Sequence, residues 1–288
     1  MSYKLNWTYP NLGKYYRHYP PIRGTLNERY KDALKLNLSR IEVPFDLIRE
    51  ENNEYLVVQK PVGDIPTKND FPKLYGEGRF EKDYILHTDP ELKPSHILYW
   101  NLPKWRNTYL ESIVEFSYFI GKPPCAVEFH PSKPKRSREH MIKLILEAFD
   151  KFKELNFLSS ILIENRTGMF ISTVEDMIKF YETVSDNLSS KELSKFGFCI
   201  DISQLYTQIK RDPSKDLKKL PKSSILGWHI HYKHKPPSDK DPINWKEIIS
   251  MIKPNVFCLP EVFRFKDIIA TIKYIENLIN ENKITIPQ

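Results

Sequence analysis

The chain has 288 residues, 40% of them apolar and 28% charged, and carries a net charge of +7. This length can bury a sizeable core, as one large α/β barrel or as two small domains. No apolar run approaches the roughly 18 residues of a membrane span, and the opening MSYKLNWTYP lacks the apolar stretch of a secretory signal, which argues for a cytoplasmic protein.

In chain order, residues 3–9 are a weak candidate for a first strand and 41–45 a clearer one, while 55–59 reads as a strand outside the main series. Apolar runs at 84–87 and 125–130 follow. Met141, Leu144, Ile145, Ala148, Phe152 and Leu155 then recur at three- and four-residue intervals, the period of a helix burying one face. A run at 161–164 precedes a helix over 173–184, and runs at 196–201 and 226–232 precede a helix over 245–252. The last run, 256–261, leads into a helix marked by Ile268, Ile269, Ile272, Ile275 and Ile279. Cys125, Cys199 and Cys258 sit in these strand-like runs; three cysteines leave one unpaired, and all read as buried thiols of a reducing compartment.

Eight strands alternating with helices predict a parallel sheet closed into a (β/α)8 TIM barrel, one domain over residues 1–288, with an open doubly wound sheet as the alternative. No Gly-x-Gly-x-x-Gly follows any strand, which removes the usual dinucleotide site.

Chemistry in such barrels lies at the carboxyl ends of the strands. His87 ends Tyr-Ile-Leu-His, His130 ends Ala-Val-Glu-Phe-His, and Glu164 ends Ile-Leu-Ile-Glu. Asp201 ends Gly-Phe-Cys-Ile-Asp, His229 and His231 lie in Gly-Trp-His-Ile-His-Tyr, and Glu261 ends Phe-Cys-Leu-Pro-Glu. One such residue alone is ordinarily a hydrogen-bonded core group. Several acids at one barrel end would repel one another and lose their solvation unless a cation compensated them. Imidazoles and carboxylates in this number suit one to three divalent ions, Zn²⁺ or Mn²⁺. His229 and His231 face the same side of their strand, and so do Glu128 and His130. Glu128 is placed either to orient an imidazole or to make a structural hydrogen bond.

The series Glu164-Asn165, Cys199-Ile200-Asp201, His229-Ile230-His231 and a strand-ending Glu261 resembles the xylose-isomerase-like barrel superfamily, over roughly residues 25–280. That superfamily includes the endonuclease IV group of apurinic-site nucleases (AP endonuclease family 2) and metal-dependent sugar isomerases and epimerases. The resemblance implies a metal held by Glu164, Asp201, His231 and Glu261, spaced 37, 30 and 30 residues apart. His231 is preferred to His229 because a polar residue, His234, stands three places on. Phe129-His130-Pro131 is similar to a nuclease motif whose His binds a second metal, and His87 falls where that branch has another ligand of the same ion. Glu164-Asn165-Arg166-Thr167-Gly168 resembles its Glu-Asn-Thr-Ala-Gly, in which the Glu bridges two ions. The branch's Asp-Thr-Cys-His stands here as Asp201-Ile202-Ser203-Gln204, so Gln204 replaces a ligand of a third ion and one or two ions are expected.

Lys133, Lys135, Arg136 and Arg138 follow His130, and Lys233 and His234 follow His231, where cations can hold the phosphates of a nucleic acid or simply lie solvated. Between 96 and 106, Tyr99, Trp100 and Trp105 are placed to stack on bases, to cap a sugar, or to cover the barrel rim. The resemblance thus implies a divalent-metal phosphodiesterase acting on abasic or damaged DNA, with Glu164 and Glu261 catalytic; a sugar isomerase or epimerase is the alternative.

Overall fold

The computed structural model describes residues 5–10, 26–38, 40–45, 48–51, 54–57, 65–76, 83–88, 99–131, 138–154 and 159–281. Strands β1 (Asn6–Tyr9) and β2 (Arg40–Pro44) flank helix α1 (Leu26–Lys35), and β3 (Ile48–Glu51) pairs antiparallel with β4 (Glu54–Val57) as a separate ribbon. After α2 (Phe71–Tyr75) come β5 (Asp83–Thr88), α3 (Pro103–Ile120), β6 (Ala126–Phe129), α4 (Arg138–Lys153) and β7 (Ser160–Glu164). Helices α5 (Val174–Ser185) and α6 (Ser190–Leu193) precede β8 (Phe196–Asp201), and α7 (Ile202–Ile209) and α8 (Ser214–Leu217) precede β9 (Ile225–His229). The chain closes with α9 (Trp245–Ile249), β10 (Phe257–Leu259) and α10 (Phe265–Glu281).

Eight parallel strands form a closed barrel in the order β1-β10-β9-β8-β7-β6-β5-β2. The ring is closed, so the open doubly wound alternative is ruled out. Among the described residues no helix is long and apolar enough to cross a membrane.

The strand period of two sorts side chains between two cores. Leu86, Val127, Ile161, Ile163, Phe198, Ile200 and Trp228 point outward, into the layer shared with the helices. Ile85, Ala126, Leu162, Cys199, Phe257 and Leu259 fill the lumen. Cys199 and Cys258 are buried and free, but Cys125 is only half-buried, because it lies in the turn just before β6 rather than inside the sheet.

Several elements differ from the sequence reading. The run at 226–232 stays in the ladder only to His229, after which Tyr232 and Lys235 pair across a tight turn. The run at 256–261 is a strand only over Phe257–Leu259, since Pro260 has no N–H to donate. The expected strand at 55–59 appears as β4, and its last two residues lie outside the described ones. Helix α3 opens inside the stretch expected as an aromatic rim loop. Trp100 is fully buried there, packed edge-on against Trp105, Tyr109 and Phe129, and its indole N–H donates to the His130 carbonyl at 3.2 Å. Of the three roles open to these aromatics, Trp100 takes the cover of the rim.

Gly197 and Gly227 both lie on the lumen side of their strands with no room for a side chain. A Cβ on Gly227 would stand 2.3 Å from the Phe257 ring, which lies across the strand where a side chain would be. Gly227→Ala should therefore cost about 1–3 kcal/mol through overpacking, measured by urea unfolding, and Phe257→Leu in the same chain should recover part of it.

Candidate metal centre

Continuing along each strand, the side of the sheet that fills the lumen turns polar. Ile85 is followed by His87, Ala126 by Glu128 and His130, Leu162 by Glu164, and Cys199 by Asp201. On the last two strands Gly227 is followed by His229 and His231, and Leu259 by Glu261. Glu42 on β2 joins them, with its carboxylate 3.9 Å from His87 Nδ1. Glu128, His130, Glu164, Asp201, His229 and His231 are all buried, while His87 and Glu261 are half-buried.

The side chains gather in two adjoining groups that share Glu164. In the first, His231 Nε2 is 3.3 Å from Asp201 Oδ1 and 2.9 Å from Glu261 Oε2. His229 Nδ1 is 3.5 Å from Glu261 Oε2 and 3.7 Å from Glu164 Oε1. Ligand atoms of Glu164, Asp201 and His229 lie within 4.8 Å of one another. In the second group, His87 Nε2 is 3.2 Å from His130 Nε2, 3.4 Å from Glu128 Oε1 and 3.5 Å from Glu164 Oε2. His130 Nε2 itself contacts Glu164 Oε2, and all four residues offer atoms within 4.8 Å of each other.

Backbone and neighbouring polar groups fix these positions. Asn165 clamps Asp201: its amide donates to the Asp201 carbonyl and accepts from the Asp201 N–H, both at 2.9 Å. Asp201 also caps α7, with Oδ1 accepting from Gln204 N at 2.8 Å. Gln204, where a third-ion ligand was missing, spends its side-chain oxygen on the Thr167 N–H at 3.2 Å. After β9, Lys233 and His234 take φ values of 51° and 56°, a left-handed pair that costs side-chain-bearing residues about 1–2 kcal/mol each. That turn brings the His234 ring flat against His231, centroids 4.6 Å apart, and its N–H donates to His231 Nδ1 at 2.8 Å.

Both ring nitrogens of His229 and Nε2 of His231 are left for an ion, so the ligand expected from sequence, His231, and its neighbour His229 both border the site. Glu128 Oε1 lies 3.4 Å from His229 Nε2, behind the ring, where it can orient the imidazole.

Charge compensation shapes the whole mouth. Burial opposes a proton on His87, but the Glu164 hydrogen bond and the Glu42 and Glu128 charges outweigh it and raise the ring to about 10. His231 is also raised to about 10, burial being overcome by Asp201 and Glu261. Burial likewise opposes ionisation of Glu164 and Glu261, yet contacts with His130 hold the first, and His231 the second, well below the usual carboxylate range. Asp201 goes the other way: burial pushes it up despite His231, and the charges of Glu261 and Glu164 add to the rise.

The donor set fits a cation. Glu128 Oε1, both ring nitrogens of His229, His231 Nε2 and Glu261 Oε2 are buried with no hydrogen-bond partner among the described residues. Buried polar atoms are ordinarily paired, and a divalent ion would satisfy several of these at once. Of the expected phosphate-binding cations, Lys133, Lys135 and Arg136 lie outside the described residues. Arg138 opens α4, exposed, 5.7 Å over the Phe170 ring, and Lys233 is exposed over Tyr232 at 5.1 Å. The sequence reading assigned no part to Glu42, the Asn165 clamp or Arg166; the last two lie inside the Glu-Asn-Arg-Thr-Gly segment that carried the resemblance.

No protein-family model matches the sequence, and no curated protein matches it. Solved structures do. An IolI protein with a bound zinc atom aligns at a TM-score of 0.60 and 12% identity, covering 97% of both chains. An AP endonuclease, family 2, from Brucella melitensis aligns at 0.58 and 10% identity, covering 94% of this chain and 95% of that one. A xylose isomerase domain containing protein from Salmonella typhimurium aligns at 0.54 and 15% identity, over 98% and 97%. The fold is a closed (β/α)8 barrel like those of these three structures. At these identities the likeness extends to the fold alone, and the chemistry follows from the side chains at the barrel mouth.

Asn165→Ala would leave the buried Asp201 N–H unpaired and remove one donor from its carbonyl, which also opens α7, and should cost about 1–3 kcal/mol in a denaturant titration. Lys233→Gly should have the opposite sign, relieving left-handed strain and raising the thermal midpoint.

Proposed function

We propose that the protein is a divalent-metal-dependent phosphodiesterase that incises DNA at abasic sites. The observation that carries this reading is the pairing of donor groups: His87, His130 and Glu128 gather beside the Glu164–Asp201–His229–Glu261 group, with Glu164 common to both. Glu164, Asp201, Glu261 and the His229 and His231 pair would hold one ion, Zn²⁺ or Mn²⁺, and His87, His130 and Glu164 a second. Ions bound there would lower the pKa of a water and neutralise charge on the phosphoryl oxygens of an in-line displacement.

The chain's own groups do the rest. His231 Nε2 stands between Asp201 Oδ1 and Glu261 Oε2, at 3.3 and 2.9 Å, and keeps these two carboxylates together at the mouth. Glu261, half-buried at the opening, is the carboxylate best placed to exchange protons with solvent. Exposed Arg138 and Lys233, with the cations at 133, 135 and 136, supply charges for backbone phosphates. The sugar isomerase or epimerase reading rests on the first group alone, with Glu164 and Glu261 passing a proton through an enediolate.

Metal-loaded protein should incise a labelled abasic duplex, chelated protein and Glu164→Ala should not, and added salt should weaken the reaction as phosphate contacts are screened. Turnover of a free ketose by a fully loaded sample that leaves the duplex intact would transfer the assignment to the isomerase. Elemental analysis weighs the histidines: His231→Ala should lose metal, and more of it than His229→Ala.

A further inference from the structure

Beneath the mouth lies a third cluster, formed by Cys199 together with Glu128 and His229. Cys199 stands two residues before Asp201 on β8, so its thiol points into the lumen one layer below that carboxylate. There it meets Glu128 of β6 and the inner side of the His229 ring. One ligand atom from each of the three lies within 4.8 Å of the other two, and all three residues are buried. Glu128 Oε1 and His229 Nε2 face each other at 3.4 Å, yet neither has a hydrogen-bond partner among the described residues. Oε1 is equally far from His87 Nε2, again without a hydrogen bond. Buried polar atoms are ordinarily paired, so the gap needs an occupant. Zinc bonds of about 2.0–2.2 Å at tetrahedral angles hold oxygen and nitrogen ligands about 3.3–3.5 Å apart. That is the spacing of Oε1 and Nε2.

We propose that Cys199, Glu128 and His229 Nε2 form an inner site for a thiophilic divalent ion of the Zn²⁺ class. A carboxylate and a thiolate bring two negative charges, so a divalent ion leaves the buried cluster neutral. The sulfur selects a soft ion over Mn²⁺ or Mg²⁺. Binding releases the thiol proton to solvent as the ion takes its place on sulfur. A neutral imidazole has one lone pair to give, so with the inner ion bound the mouth ion keeps Glu164, Asp201, His231 and Glu261. The inner ion ties β6, β8 and β9 together from inside the barrel and takes part in no step of the reaction proposed above.

Cobalt(II) is the probe, because a thiolate ligand gives it an intense near-ultraviolet charge-transfer band that oxygen and nitrogen ligands do not. Metal-free protein titrated with Co²⁺ should develop this band, Zn²⁺ should bleach it, and Cys125→Ser and Cys258→Ser should keep it. Cys199→Ala should lose the band and bind one zinc fewer per chain by elemental analysis, while keeping the weaker visible cobalt bands of the mouth. Cys199→Ser, which restores a polar atom but not the soft ligand, should behave likewise. No thiolate band in wild type would overturn the inner site, and visible cobalt bands in the same sample would leave the mouth ion standing. A thiolate band that survives in both Cys199 variants, or that disappears in Cys125→Ser or Cys258→Ser, would overturn it as well. Incision enters none of these readouts, so the inner site and the phosphodiesterase reading can fail separately.

Discussion

The constraint on which this structure turns is the burial of like charge. Glu42, Glu128, Glu164 and Asp201 are buried, and Glu261 half-buried, at one end of a barrel whose lumen is otherwise apolar. Each carboxylate loses its hydration and stands near another. Removing one partner from a buried ion pair typically costs about 3–5 kcal/mol, so no member of this group is independent of the rest. Four imidazoles, of His87, His130, His229 and His231, are interleaved with the acids at 2.9–3.9 Å, save for the closer contact of His130 with Glu164. They can serve as counter-charges when protonated and as ligands when not, which is the chemistry a metal centre needs.

The surrounding structure is arranged to hold that charge in place. Phe257 lies across Gly227 in the apolar floor, the Asn165 amide locks the Asp201 backbone, and Trp100 bonds the carbonyl of His130. The left-handed turn at Lys233 and His234 is closed by two backbone bonds between Tyr232 and Lys235, each 3.0 Å. Its effect is to press the His234 ring on that of His231, so the strain coincides with a site where geometry matters.

Much of this was legible in the sequence because a parallel barrel ties position along a strand to position in space. Reading His87, His130, Glu164, Asp201, the His229 and His231 pair, and Glu261 as strand ends was enough to bring them to one mouth, since every barrel strand runs the same way. Helix α3 was not legible, because its buried face mixes Arg106, Ser112 and Ser117 with Tyr109, Leu110 and Ile113, so no clean apolar period shows. Arg106 is buried there with its guanidinium bound to both carboxylate oxygens of Glu147 on α4 and to the Trp100 carbonyl, a tertiary fact. The left-handed turn at Lys233 and His234, which lays the His234 ring on His231, was equally out of reach, since no sequence pattern announced its φ values.

The fold leaves the chemistry open, since a zinc-bearing IolI protein, an AP endonuclease and a xylose isomerase domain protein all share it. What distinguishes this chain is the charge arrangement at the mouth, and the most direct measurement of it is anomalous diffraction at the zinc or manganese edge from crystals grown with that metal. The account predicts a strong peak bounded by Glu164, Asp201, Glu261 and the His229 and His231 pair. A fully loaded crystal with no peak at that first position, and the carboxylates paired only with histidines, would contradict it.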